Sequence, residues 1–345
     1  MNYRIDSHKL MFHQERVLSW KKGEHIHPIY VEMSPTSVCN YKCSFCALDF
    51  IQRGKSLCLE VVKKSVGEMA KLEVKSIMFA GEGEPLLNKE FESMAFYTKT
   101  QGIDVALTTN GSMLSEDISY ELLPIMSWIK VSLNSIVPST FAKMSGLNIN
   151  NGKVVLAQVM ANIYKAVTIR DKMRHPCSIG IQMLVTEENL QDVDFTIVMA
   201  RELGVDYIVL KQHSQHPASI NKTVSVGYHS YFINDYTRYS TDKFQVIQRS
   251  PHDDRRSYDK CYALPFWSYV ASDGNVWACS SHMPDERFIM DNIYQQEMKD
   301  IWSKKNYERV QNNIDVTQCR IGCRMDKCNQ YLGEITHSSK HVNFI

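Results

Sequence analysis

Between residues 29 and 210, short apolar runs alternate about six times with longer stretches of helical periodicity. Residues 29–33, 76–79, 104–107, 128–133, 179–185 and 207–210 read as strands, being brief and rich in Val, Ile, Leu, Met and aromatic residues. Residues 59–72, 90–101, 117–123, 154–173 and 192–203 read as helices. In the first helix Val61, Val62, Val66, Met69 and Leu72 recur at helical spacing, and Gly102 supplies a stop for the second. Strands joined through a helix must run parallel, because the crossover returns the chain to the same end of the sheet.

The expected fold is therefore α/β, a partial (β/α)6 TIM-like barrel that is curved and incompletely closed. A flat doubly wound sheet is the alternative that periodicity leaves open. The pattern divides the chain into a lead-in (1–28), the barrel (29–225), a polar connector (226–260) with helix around 228–239, and a smaller C-terminal module (261–345). In that module, apolar runs at 266–271 and 276–279 flank Asp273-Gly274, a strong hairpin signal, and a helix is expected around 298–310. The net charge of +1 gives no basic field for nucleic acid. No apolar run reaches the roughly 20 residues that span a bilayer, and the first twenty residues lack a signal-peptide core. A cytoplasmic location is expected, where ten cysteines argue for metal or redox chemistry rather than a disulfide framework.

Cys39, Cys43 and Cys46 fall within eight residues, directly after the first strand. Thiolates suit iron–sulfur clusters or zinc, but zinc normally wants a fourth protein ligand and this loop has none. Three ligands on a four-iron core leave one iron open. A zinc loop and buried thiols remain the plainer readings of the spacing alone.

The CxxxCxxC spacing in this position resembles the radical S-adenosylmethionine (SAM) superfamily, and Phe45 fills the aromatic place before the third cysteine. The resemblance covers roughly residues 29–210. It implies that SAM is chelated by the open iron of a [4Fe–4S] cluster and cut to a 5′-deoxyadenosyl radical. Ala80-Gly81-Glu82-Gly83-Glu84-Pro85 looks like the family's GGEP segment, with Glu82 where the first glycine usually stands; the resemblance places it against the SAM amino group. Thr108-Thr109-Asn110-Gly111 resembles the family's TNG segment. Ser132 and Asn134 after the fourth strand, Gln182 on the fifth and Lys211 after the sixth are weaker cofactor-binding candidates, and ordinary polar groups of a barrel mouth are the bland alternative.

Cys261, then twelve residues, Gly274, four residues and Cys279 resemble the opening of SPASM and twitch extensions, which bind auxiliary clusters. Five cysteines without a CxxC pair imply one auxiliary [4Fe–4S] cluster of the shorter twitch kind. Cys261, Cys279, Cys319 and Cys323 are the expected ligands, with Cys328 spare; a set using Cys328, or a zinc site, stays open. Cys58 and Cys177 read as packed thiols.

An auxiliary cluster implies dehydrogenation of the substrate radical, whereas a thiol donor, for which Cys328 is the candidate, implies epimerisation. The resemblance implies an external one-electron reductant of the flavodoxin or ferredoxin kind. Only 38 residues precede Cys39, too few for an added peptide-binding domain, and Ser280 stands where sulfatase-maturing relatives place an aspartate. A small, carbohydrate-like or aminocyclitol substrate is therefore expected, with His213, His216, Tyr228 and His229 able to bind hydroxyls. Neither nucleic acid nor a membrane is an expected partner. A peptide- or protein-modifying maturase is the alternative enzyme, and an iron–sulfur or zinc binding protein the non-enzymatic one.

Overall fold

A computed structural model describes residues 3, 7–223, 233–249, 256–320, 322–337 and 340–344. Tyr228, His229 and the first five residues of the helix expected around 228–239 lie outside the described residues; residues 233–239 show only a short 3-10 turn at Tyr236–Tyr239. After helix α1 (Gln14–Lys21), strands β1 (Tyr30–Met33), β2 (Ser76–Phe79), β3 (Asp104–Thr109), β4 (Met126–Ser132), β5 (Ser178–Val185) and β6 (Tyr207–Gln212) pair in parallel, each with the next. These are the six expected strands. A seventh, β7 (Gln245–Gln248), joins β6 in parallel from within the stretch read as connector. Only Val246 of β7 is buried, so its hydrophobic pattern was too faint to read.

Helices α2 (Leu59–Lys71), α3 (Phe91–Thr100), α4 (Glu116–Leu122), α5 (Pro138–Ser145), α6 (Ile149–Met173) and α7 (Val193–Glu202) supply the crossovers. Alternate strand residues such as Val31, Ile77, Leu107, Ile129, Ile181 and Ile208 are fully buried in one core with α2, α3, α6 and α7. The opposite face carries Glu32, Met78, Thr108, Lys130, Gln182 and Lys211, which line the bore of the partial barrel. Two helix starts differ from expectation for local reasons. Asn148 caps the Asn151 amide (2.9 Å), so α6 begins five residues early. Helix α5 was missed although Pro138 opens it and Gly146 ends it in the left-handed region (φ 67°).

The C-terminal module continues the barrel sheet. Strand β8 (Trp267–Val270) pairs in parallel with β1, then β9 (Asn275–Trp277) and β10 (Ile289–Asn292) follow antiparallel. The ten strands run β10-β9-β8-β1-β2-β3-β4-β5-β6-β7, an open sheet with two free edges. The expected hairpin turns at Asp273-Gly274, where Gly274 has φ 87° and a Cβ would strike Tyr294. The expected helix at 298–310 is two, α8 (Met298–Ile301) and α9 (Lys304–Gln311), and α10 (Asp326–Thr336) follows in the cysteine-bearing tail. No described helix is long and apolar enough to cross a membrane.

Module and barrel share one core: Trp302 is fully buried in the cluster that holds Val31 and Met33, and its indole N–H donates to Ser268 Oγ (3.1 Å). Trp302→Ala should therefore cost about 3–5 kcal/mol, and urea denaturation should show one transition shifted as a whole. Two transitions with only one displaced would mean that the module folds independently.

Candidate active site

The three cysteines of the first cluster lie in an irregular loop beyond the carboxyl end of β1, where barrel sites form. All three are partly buried, and Phe45 is partly buried between Cys43 and Cys46. Burial, and then the neighbouring thiols, push Cys43 well above the usual thiol range; burial likewise raises Cys39. Three thiolates crowded here repel one another, and iron neutralises that repulsion, so the donor set suits a cationic core. Among the described residues, no three His, Cys, Asp or Glu side chains close on a single-ion point of the kind tetrahedral zinc requires.

The loop is fixed from three sides. Lys42 N and Ser44 N donate to Ser145 O (3.1 Å) and Met144 O (2.9 Å) at the end of α5. Arg53 donates to Ser37 O (3.1 Å) and to Glu82 O, and its other nitrogen lies 3.8 Å from Cys46 Sγ. Asn40 donates to Ser112 Oγ (2.8 Å) and accepts from Asn110 Nδ2 (2.8 Å). Sequence reasoning missed Arg53 and Asn40; neither belongs to a motif, and only the folded loop shows their targets.

The glycine-rich segment presses against the approach to Cys39. A Cβ on Gly83 would sit 2.2 Å from Val38 O, and one on Gly81 (φ 120°) would strike Tyr269 and Ser34. The Glu84 carboxylate, almost fully buried, accepts from Thr109 Oγ1 (2.6 Å), Asn110 N (2.6 Å) and Leu86 N (3.2 Å). Glu84 thus staples the segment after β2 to the one after β3. Glu82 accepts from Ser272 N (3.2 Å) and from Ser272 Oγ in the β8–β9 turn. Both carboxylates are used internally; burial raises each above the usual carboxylate range.

Ser132 stands opposite Gln182 in the β4–β5 register, and both are partly exposed to the bore. Asn134 is buried and accepts from Leu184 N (2.7 Å), which locks the end of β4 to β5. Lys211 projects from β6, where burial, followed by the charges of Arg320, Arg249 and Lys130, lowers it to about 7.

A second cavity is lined by Cys261, Cys279, Cys319 and Cys323, with Arg256, Arg320, His282 and Asn329 between them. Burial raises all four thiols, Cys319 to about 11 and Cys323 to about 12. Arg256 donates to the carbonyls of Val316, Cys319 (2.6 Å) and Arg320 (3.0 Å), and Asn329 Nδ2 lies 3.8 Å from Cys261 Sγ. Cys328 lines a different cavity, of about 380 Å³, with Ile29, Ser76 and Trp128 near the amino ends of the strands. Cys58 precedes α2 and Cys177 is buried beside β5; neither joins either group.

The stretch after β6 ties the two cysteine regions together. Asp49 accepts from Ser219 Oγ (3.1 Å), Ile220 N (3.0 Å) and Asn221 N (2.6 Å). Asn221 Nδ2 donates to Cys43 O (3.2 Å). His216 donates from Nε2 to Ser280 O (3.1 Å), and Arg320 donates to Ser214 O (3.2 Å). His216 is therefore occupied in holding the loop, and burial lowers both it and His213.

Residues 33–200 match the family described as the radical SAM superfamily, and residues 261–330 match the SPASM iron–sulfur cluster-binding domain. A GTP 3′,8-cyclase of Mannheimia succiniciproducens is 32% identical over 146 residues, 41% of this chain and only 41% of that protein's length. A probable GTP 3′,8-cyclase of Sulfurisphaera tokodaii is 27% identical over 278 residues, 74% of this chain and 82% of that protein. Streptococcus suis SuiB, solved with S-adenosylmethionine, superposes with TM-score 0.70 at 14% identity, covering 96% of this chain and 79% of that one.

A Cβ on Gly146 would lie 2.2 Å from Lys42 O, at a backbone conformation that favours glycine. Gly146→Ala should cost about 1–3 kcal/mol and displace the cysteine loop. Iron per chain after anaerobic reconstitution should fall with the urea midpoint; full iron at an unchanged midpoint would contradict the docking described.

Proposed function

The chain belongs to the radical SAM superfamily and carries a C-terminal SPASM iron–sulfur domain, and from that premise we propose that it abstracts a hydrogen atom from a small polar substrate held in the barrel bore. The family's cofactors are SAM on a [4Fe–4S] cluster and auxiliary iron–sulfur in the C-terminal domain. In this reading Cys39, Cys43 and Cys46 hold the first cluster, and Cys261, Cys279, Cys319 and Cys323 hold one auxiliary cluster. The grouping of those four thiols around one cavity, apart from Cys328, carries the second assignment. When bound, the clusters supply an electron that splits SAM into methionine and a 5′-deoxyadenosyl radical, and an acceptor for the electron that a substrate radical releases.

The protein's own groups position and exclude. Phe45, Gly81, Glu82, Gly83, Glu84, Thr109, Asn110, Ser132, Asn134 and Gln182 form the proposed SAM-facing rim. Glu84 and Asn134 already accept internal hydrogen bonds, so direct contacts fall to backbone groups and to Ser132 and Gln182. Cys328 faces the amino ends of the strands, which favours oxidation of the substrate radical over hydrogen return from this thiol. An external flavodoxin- or ferredoxin-like reductant completes the scheme. A second reading, radical cyclisation of a nucleotide, is favoured by the alignment with the Sulfurisphaera protein over most of this chain. The likeness to SuiB, also solved with a precursor peptide, is one of fold.

Anaerobically reconstituted protein should hold about eight irons and release 5′-deoxyadenosine when given SAM and dithionite. Replacing Cys39, Cys43 and Cys46 by alanine should abolish that release. Cys328→Ala should keep its iron, and loss of about four irons in that variant would overturn the auxiliary assignment.

A further inference from the structure

Two lysines enter the bore from alternate strands. Lys130 lies on β4 opposite Gly180 of β5, and Lys211 lies on β6 opposite Leu184 of β5. Their partners on β5 are four residues apart, so the two backbones are offset by about 13 Å along the strand as well as by two strand spacings, roughly 16 Å in all; both side chains project from the same face, and the Lys130 charge is felt at Lys211. Gly180 leaves its side of β5 without a side chain, and the Tyr207 ring fills the place of its Cβ. Both lysines remain partly exposed to the bore although protein surrounds them. Lys130 Nζ sits 5.3 Å from the Trp128 ring centroid, and among the described residues neither ammonium makes a hydrogen bond or ion pair.

The groups facing them are mostly cationic. Lys130 feels Arg249; Lys211 feels Arg320, Arg249 and Lys130, and His213 lies within reach of Lys211. The bore's buried carboxylate, Glu32, is already paired with Arg324. Arg320 is shared with the thiols of the second cavity. Burial, reinforced by the like charges, lowers Lys130 to about 8 and Lys211 to about 7. A cation buried against other cations is unfavourable, and an incoming anion offsets that cost. Such perturbed groups in a concave site are where ligands bind.

We infer that the substrate carries a phosphate or diphosphate group, seated between Lys130 and Lys211 on the β4–β6 side of the bore. This rests on reading the bore as the substrate site. A single carboxylate brings one negative charge to a site with several positive ones, whereas a diphosphate brings two or three and oxygens enough for both ammonium groups. Anchored there, the remainder of the substrate extends toward β1–β3 and the cysteine loop.

Inorganic pyrophosphate binding to the reconstituted holoprotein, measured by calorimetry at pH 7, tests this without any turnover. Lys130→Met and Lys211→Met should each weaken binding at least tenfold while iron content and far-ultraviolet dichroism hold, and Lys211→Arg should retain it. Affinity of the natural protein should fall as pH rises from 7 to 9, because the free lysines lose their protons there; Lys211→Arg should fall less. No binding at millimolar pyrophosphate, wild-type affinity in both methionine variants, or equal affinity for malonate would overturn the assignment. A nucleoside diphosphate binding more tightly than pyrophosphate would identify the source of the phosphoryl group as a nucleotide, and equal binding would limit recognition to the diphosphate. Should pyrophosphate bind as described while SAM is never cleaved, the proposed reaction fails and the anion site stands.

Discussion

Mutual repulsion among three thiolates in a partly buried loop is the constraint on which the rest of the structure depends. Cys39 and Cys43 sit where burial disfavours negative charge, so the loop needs both a cationic core and rigid neighbours. Much of the surrounding architecture serves the second need. Helix α5 receives two amides of the loop, Arg53 spans from Ser37 to Cys46, and Asn40 clasps the segment after β3. The parallel sheet makes this possible because every crossover delivers the next loop to the same end.

The second cysteine region is coupled to the first through backbone. Strand β8 lies directly against β1, so the C-terminal module extends the barrel sheet. Ser272, in the turn after β8, binds Glu82 of the glycine-rich segment, and the stretch from Ser214 to Asn221 reaches both cysteine regions. A shift at one site therefore has a short mechanical route to the other. The bore between them is lined on its β4–β6 side by cations and on its β1 side by the Glu32–Arg324 pair.

What the sequence disclosed follows from the range of each signal. The six parallel strands were readable because each is short and places apolar residues on its buried outer face. Strand β7 was hidden because it is four residues long with one buried position. Helix α10 was hidden because no side chain caps its start and Asn329, Gln330 and Gly333 thin its apolar pattern. The cysteine triplet and the glycine-rich segment carry local spacing and stood out. Glu84 was singled out from its motif, but its work, stapling two loops together, is a contact across 25 residues that no spacing reveals. Arg53, Asn40, Ser272 and Lys130 gave no signal, since an isolated polar residue acquires meaning only from what the fold places opposite it.

The central claim is that three protein sulfurs leave one iron of the first cluster open to SAM. Electron–nuclear double resonance on the reduced protein, with SAM labelled by ¹⁵N at its amino group and ¹⁷O at its carboxylate, addresses that iron directly. Hyperfine coupling from both labels, lost when Cys39, Cys43 and Cys46 are replaced, is the predicted result. A reduced cluster that shows neither coupling in the presence of saturating SAM would contradict it.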